Sequence, residues 1–298
     1  MQFCTAKGNK LNSEYGVILI NKPVGITSFR VVQILRRITR IKKIGHTGTL
    51  DPFASGLLPV CIGKATRMVN LLSDKDKTYK AKIKFGEKTD TGDIEGKIIE
   101  TKESPDLSEA SFAIYANEML DVKEQIPPKY SAKKVDGQRA YKLARNEQDF
   151  ELKPVPVNVS QFEITELDLP TLSYISTVSK GTYIRTLSET FAEKCGSNAT
   201  TIELIRTQIG DLKIQDSVEL DALSKENWKD HLIELKDIFT DFPATIVKAT
   251  ELEKFRNGNE TQTDADDAEQ VIIISEENIC IGFGSVSGKV LKVKHMFL

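Results

Sequence analysis

Residues 45 to 58 read Gly-His-Thr-Gly-Thr-Leu-Asp-Pro-Phe-Ala-Ser-Gly-Leu-Leu, and a single carboxylate, Asp51, stands in the middle of them. Between Leu11 and Leu50 the only other acid is Glu14, and none falls between Pro52 and Ser73. Glycines permit positive φ and let a ligand come close to the backbone. A lone acid among them, with His46 upstream, reads as a carboxylate presented to a ligand by a bent loop. The competing reading is an ordinary surface turn, because Asp before Pro commonly initiates one. The flanking sequence decides between the two.

Upstream, Val17 to Ile20 is a short apolar strand that stops at Asn21-Lys22-Pro23. Thr27 or Ser28 can cap a helix running to about Ile41, with Val31, Ile34, Leu35, Ile38 and Ile41 on one face. Downstream, Tyr79 to Phe85 alternates, with Tyr79, Ala81, Ile83 and Phe85 on one side and lysines on the other, as in a half-buried strand. Ser108 to Leu120 has helical spacing, with Phe112, Tyr115 and Met119 aligned. Val155 to Leu169, Ser173 to Val178 and Val271 to Ile274 read as strands; Thr186 to Lys194 and Thr200 to Thr207 read as helices. Strands broken by helices at irregular intervals predict an α+β fold with a mixed sheet. Phe242-Pro243 is the best boundary, dividing the chain into domains 1–242 and 243–298, the second short enough for a small β-barrel.

The 298 residues are 40% hydrophobic and 28% charged, the composition of a globular protein with a sizeable core. Cys4, Cys61, Cys195 and Cys280 are scattered, which argues against a disulfide framework and for a reducing compartment. His46, His231 and His295 are too far apart to support a local metal site. The N-terminus has no apolar signal region, and no apolar run approaches the ~18 residues that span a bilayer. A cytoplasmic protein is therefore expected, with no membrane association. The net charge of -2 hides an asymmetry: residues 1–100 carry 18 Lys or Arg against 9 Asp or Glu, a surplus of nine positive charges. Arg36, Arg37, Arg40, Lys42 and Lys43 cluster there, as do Lys75, Lys77, Lys80, Lys82 and Lys84. Such a half suits a polyanion, although a solvated charged face explains any single run equally well. The acidic stretch Glu260 to Glu269 would repel nucleic acid and reads as an exposed loop.

Further segments are too specific for filler. They are Lys22-Pro23-Val24-Gly25, Tyr79-Lys80-Ala81, Thr89-Asp90-Thr91, Pro127-Pro128-Lys129-Tyr130-Ser131-Ala132-Lys133, Lys180-Gly181-Thr182-Tyr183-Ile184-Arg185 and Leu204-Ile205-Arg206-Thr207. With the 45–58 block they form an ordered set over about residues 15 to 215 that resembles the TruB family of tRNA pseudouridine synthases. The tail, with Phe255-Arg256-Asn257-Gly258-Asn259 and Ile281-Gly282-Phe283-Gly284, is similar to the small RNA-binding PUA barrel of that family. The chain departs from the family pattern at Ile205, where an arginine is usual, at Asn146 and at Val293.

The resemblance implies the pseudouridine synthase fold, a largely antiparallel mixed sheet with flanking helices, and isomerisation of uridine 55 in the T loop of tRNA without cofactor or metal. It implies that Asp51 is the catalytic carboxylate, that Arg185 pairs with it, and that Tyr79 is the aromatic platform under a flipped uracil. Tyr183 and Leu204 match pocket-wall positions. His46 matches a residue packed against the T loop, while Lys22 and Asp90 belong to substrate-site segments. The partner implied is the T-loop arm of tRNA, bound by a monomer with no obligatory protein partner. One carboxylate is enough for such an isomerisation, since it can add to the base, add to C1′ or remove a ribose proton. A glycosidase acting on another nucleoside is a weaker reading, because glycosidases generally use two carboxylates. A silent RNA-binding protein is weaker too, because it needs neither Asp51 nor Arg185.

Overall fold

The computed structural model describes residues 15–146, 148–257 and 259–297. Cys4, Glu14, Gly258 and the expected absence of an N-terminal signal region lie outside the described residues.

A nine-stranded mixed sheet forms the larger part of the fold. Its strands are β1 (Gly16–Lys22), β2 (Ile44–His46), β3 (Ser55–Ile62), β4 (Lys77–Phe85), β7 (Val159–Asp168), β8 (Thr171–Val178), β9 (Ala199–Ile209), β10 (Leu212–Lys213) and β11 (Val218–Glu219). A hairpin of β5 (Glu87–Thr89) and β6 (Ile98–Thr101) stands apart from it. The sheet order is β7-β8-β4-β9-β3-β1-β11, with β2 on β3 and β10 on β9. Among the described residues, only β9–β3 and β1–β11 run parallel within it.

The burial pattern changes across this sheet. In β1 and β3 successive side chains enter different cores: Val17, Leu19, Leu57 and Cys61 lie on one face, Ile18, Ile20, Leu58, Val60 and Ile62 on the other. Strands covered on both faces need continuous apolar runs, which Gly16–Lys22 and Ser55–Ile62 supply. The second face is closed by α1 (Ser28–Thr39), whose Val31, Val32 and Leu35 pack there. Thr27 Oγ1 accepts the Arg30 N–H at 3.1 Å and starts this helix, a cap worth about 1 kcal/mol.

Strand β4 behaves differently. Tyr79, Ala81, Ile83 and Phe85 enter a third core with α2 (Glu109–Glu118) and α3 (Ile184–Lys194), while Lys80, Lys82 and Lys84 sit on the opposite face. Phe162 stacks on Tyr174 at 4.4 Å and meets Phe191 at 5.1 Å, locking α3 against the sheet. The doubly covered and singly covered halves meet at β9 and β3, which pair through Ile205↔Ser55 and Arg206↔Gly56.

Thr200 to Thr207, read from sequence as a helix, is part of β9, the strand between β4 and β3. Register shifts between Thr201 and Glu203 and again between Arg206 and Gln208 break the two-residue alternation that would mark a strand. Gly210 lies in the turn from β9 to β10 with φ 51°.

The C-terminal strands β12 (Ala244–Val247), β13 (Thr261–Gln262), β14 (Ala268–Ser275), β15 (Cys280–Ser287) and β16 (Val290–Met296) form a five-stranded sheet of order β12-β14-β15-β16-β13. Ile272, Cys280, Phe283 and Phe297 pack into the core under β1 and β3, so this sheet is docked on the larger one. The acidic stretch 260–269 faces lysines of its own sheet: Lys292 to Glu260 and Lys289 to Asp266, each at 3.3 Å. Among the described residues no helix is long and apolar enough to cross a membrane.

Candidate active site

The loop between β2 and β3 is held at nearly every residue. Ser28 Oγ accepts the Leu50 N–H at 2.8 Å and donates to the Leu50 carbonyl at 3.1 Å, fixing the residue before Asp51. The Gly25 N–H donates to the Pro52 carbonyl at 2.8 Å, fixing the residue after it. The Ala54 N–H donates to the Asp51 carbonyl at 3.1 Å. Asp51-Pro52 therefore does form a turn, as the simpler sequence reading had it, and that turn also aims a carboxylate. Leu50 and Phe53 are buried on either side of it, in the core that holds Tyr79 and Leu204. Gly56 has φ 106°, and a Cβ there would overlap the Arg206 carbonyl and stand 2.7 Å from the Arg206 nitrogen. Only glycine fits at this crossing.

Arg185 approaches from the first turn of α3. Its Nε lies 3.0 Å from Asp51 Oδ2 and its Nη1 3.3 Å from Asp93 Oδ2. Nη1 also donates to the Thr91 carbonyl at 2.6 Å, and Nη2 to the Tyr130 carbonyl at 3.1 Å. One guanidinium thus joins the Asp51 loop, the 89–96 turn and the 126–133 segment. Its side chain is 5% exposed and that of Asp51 is 34% exposed, so the carboxylate is partly open to solvent while its counter-ion is covered. Burial pushes the Asp51 carboxyl above the usual range; Arg185 opposes this, Asp93 adds to it, and Lys22 opposes it more weakly.

The remaining sequence-predicted residues distribute as follows. Tyr79 is buried on β4 opposite Arg206, and Leu204 is buried on β9 opposite Ala81. The Tyr183 N–H donates to Gln125 Oε1 at 2.8 Å and its carbonyl accepts from Gln125 Nε2 at 3.1 Å. Burial pushes the Tyr183 phenol up, and it lies within the fields of both Arg185 and Asp51. Lys22 is fully buried, its Nζ donating to the carbonyls of Pro23 and Ile26 at 2.8 Å and of Pro52 at 3.5 Å. Burial lowers that amine to about 8, against the opposing pull of Asp51. His46 is half-buried with an unpartnered Nδ1, and burial followed by Arg206 lowers its imidazole below the ordinary value.

Asp90 is exposed and its Oδ1 accepts the Lys97 N–H at 2.8 Å, closing the β5–β6 turn. The acid of this segment that reaches Arg185 is Asp93, which the sequence reading had not selected. Asp93 Oδ1 accepts from Thr91 Oγ1 at 2.7 Å and from the Glu95 N–H at 3.0 Å, so its position is set within the turn. Glu95 follows as an exposed carboxylate, raised by burial, then by Asp93 and Asp51. The signal was present in Thr89-Asp90-Thr91-Gly92-Asp93, but spacing alone does not say which acid turns inward. A cavity of about 560 Å³ opens beside Arg185, lined by Thr91, Pro127, Tyr130 and Glu189; Asp51 does not line it. Among the described residues no group of three His, Cys, Asp or Glu side chains is placed to hold a metal ion.

The large mixed sheet with its flanking helices is the fold of the pseudouridine synthases. Solved structures share the architecture: the H/ACA RNP bound to a substrate RNA containing 2'-deoxyuridine has a chain with TM-score 0.70 at 22% identity, covering 96% of this chain and 86% of its own. The Cbf5-Nop10-Gar1 complex gives 0.71 at 22% identity, over 96% and 85%. Residues 36–184 match the model of the TruB family pseudouridylate synthase N-terminal domain. Relatives named tRNA pseudouridine synthase B are 35% identical in Clostridium tetani (93% of this chain, 98% of the relative) and 34% in Bacillus subtilis (89% and 91%). In Francisella philomiragia the figure is 40%, over 80% of each chain. The chain belongs to the TruB family of pseudouridine synthases.

Proposed function

We propose that this protein isomerises uridine 55 of the tRNA T loop to pseudouridine, with Asp51 as the catalytic carboxylate. The observation that carries the reading is the 3.0 Å pair between Asp51 and a buried Arg185, set on a rigid loop where the two halves of the sheet meet. The curated relatives that match nearly end to end are tRNA pseudouridine synthases, which supplies the substrate.

The reaction breaks the N1–C1′ bond, turns the uracil and forms the C1′–C5 bond. The proton on C5 then leaves and N1 takes one up, so nothing is added or lost overall. A single carboxylate can serve the steps at the sugar and base in sequence. Arg185 keeps that carboxylate ionised and aimed. A target base must leave the stack to be reached, and Tyr79 supplies the ring on which it rests. Leu204 and Tyr183 form the pocket wall, His46 contacts the T loop as a neutral imidazole, and Lys22 supports the loop at Pro52. Asp93 acts through Arg185.

The exposed cations Arg36, Arg37, Lys42 and Lys43 near the end of α1 provide phosphate contacts. Residues 1–242 serve as the catalytic domain, and 243–298 as a PUA-like barrel that adds RNA contacts. In this reading the protein acts on the T arm as a monomer without an obligatory protein partner. Free, buried Cys61, Cys195 and Cys280 are in keeping with the cytoplasm.

The test is tritium release from C5-tritiated tRNA transcript. The wild-type protein is expected to release it from a normal transcript and not from one carrying cytidine at position 55. Binding without release would return the protein to the class of silent RNA binders.

A further inference from the structure

Arg206 is 1% exposed and brings a full positive charge into the centre of the molecule. Among the described residues it makes no ion pair with a carboxylate. Its guanidinium is committed instead to two backbone carbonyls: Nε donates to Leu57 at 2.8 Å, and Nη2 donates to Gly48 at 3.1 Å. Gly48 lies on the entering limb of the loop that carries Asp51, and Leu57 lies in β3, the strand into which the other limb runs. The Arg206 backbone completes the contact, since it pairs in register with Gly56 at a crossing where no side chain fits. A buried charge with no counter-ion is costly, and it persists where its hydrogen bonds accomplish something.

We propose that Arg206 is a positioning residue for the isomerisation, a buried clasp that ties the entering limb of the Asp51 loop to β3 so that Asp51 meets Arg185. The inference rests on the reading of Asp51 as the catalytic carboxylate. Two neighbouring buried cations show why the role falls to Arg206. Lys22 touches the loop only at the Pro52 carbonyl. Lys77 donates to the carbonyls of Ser73 and Lys75, which lie outside the loop. Arg206 alone of the three joins the entering limb to β3, and a planar fork is needed to reach both carbonyls at once. A lysine at this position reaches one and leaves the other without a donor.

The test compares Arg206→Lys with wild type in single-turnover pseudouridine formation on tRNA transcript, with binding and melting measured in parallel. Displacing a catalytic group by about 1 Å costs roughly a hundredfold, and a loss of that size is expected. Binding is expected to stay within about threefold of wild type, because Arg206 is sealed from RNA. The rate–pH profile supplies a readout that a folding defect does not move. Asp51 faces Arg185, Asp93 and Lys22, and a loosened loop weakens the Arg185 contact that holds its carboxyl down. The acid limb of Arg206→Lys should therefore shift to higher pH. A variant within twofold of the wild-type rate overturns the proposal. So does a loss that follows the folded fraction with the acid limb unmoved. If Arg206→Lys does not fold, Arg206→Gln is judged by the same criteria, and failure of both to fold makes the residue structural and overturns the assignment. An inactive wild type would instead defeat the functional reading itself.

Discussion

Arg185 Nη1 stands 3.3 Å from Asp93 Oδ2, which places a second carboxylate on the guanidinium that faces Asp51. The pair is buried on both sides, and Asp93 is fixed by Thr91 Oγ1 and the Glu95 N–H. Asp93 thus holds Arg185 from behind and pushes the Asp51 carboxyl upward through space.

Asp93→Asn keeps the shape and removes the charge. The Asp51 carboxyl should fall, because the anion that raised it is gone, so the acid limb of the rate moves to lower pH. The plateau rate should also drop by roughly tenfold as Arg185 loses its second anchor. A single-turnover profile from acid to neutral pH measures both; an unchanged plateau contradicts the role.

Arg185→Lys should cost at least a hundredfold in rate with little change in tRNA binding. Arg185 serves two carboxylates and the carbonyls of Thr91 and Tyr130, in four directions. An ammonium cannot reproduce that planar set. Rate and equilibrium binding, measured on one preparation, separate the two effects.

Gly56→Ala should be destabilising by about 3 kcal/mol or more, through positive φ and overlap with the Arg206 backbone. The urea midpoint is the measurement. A midpoint equal to wild type would mean the crossing of β3 and β9 can relax.

Lys77 is 7% exposed, and burial followed by Arg206 lowers its amine to about 8 from 10.5. Between those two values the unfolded chain binds the extra proton, so this group's contribution to stability rises with pH. Lys77→Met has no such dependence. The stability of wild type relative to Lys77→Met should therefore increase from about pH 8 to 10.5, by roughly 3 kcal/mol at most. Urea unfolding at a series of pH values checks the sign, and a difference that shrinks over that window contradicts it.

Local pattern carried the sequence reading where one physical signal dominated. Tyr79 to Phe85 alternates because β4 has one covered face, and Thr27 marks the start of α1 because its hydroxyl caps Arg30. The proposed roles of Asp51 and Arg185 came from the resemblance, because an acid before proline among glycines reads equally well as an ordinary turn. Strand β9 was not legible. Its two register shifts scramble alternation, and Arg206 places a charge where a core strand is expected to be apolar. Asp93 was passed over for Asp90 because the turn that sends one inward and the other to Lys97 depends on Gly92 at φ 74° and on contacts with Arg185. Such long-range partners leave no periodic trace in sequence.

The most direct test is Asp51→Asn on C5-tritiated tRNA. Tritium release should be abolished while tRNA binding stays near wild type. A melting curve taken on the same preparation checks that the variant is folded. Release at a rate close to wild type by a correctly folded Asp51→Asn protein would contradict the assignment of Asp51 as the catalytic carboxylate.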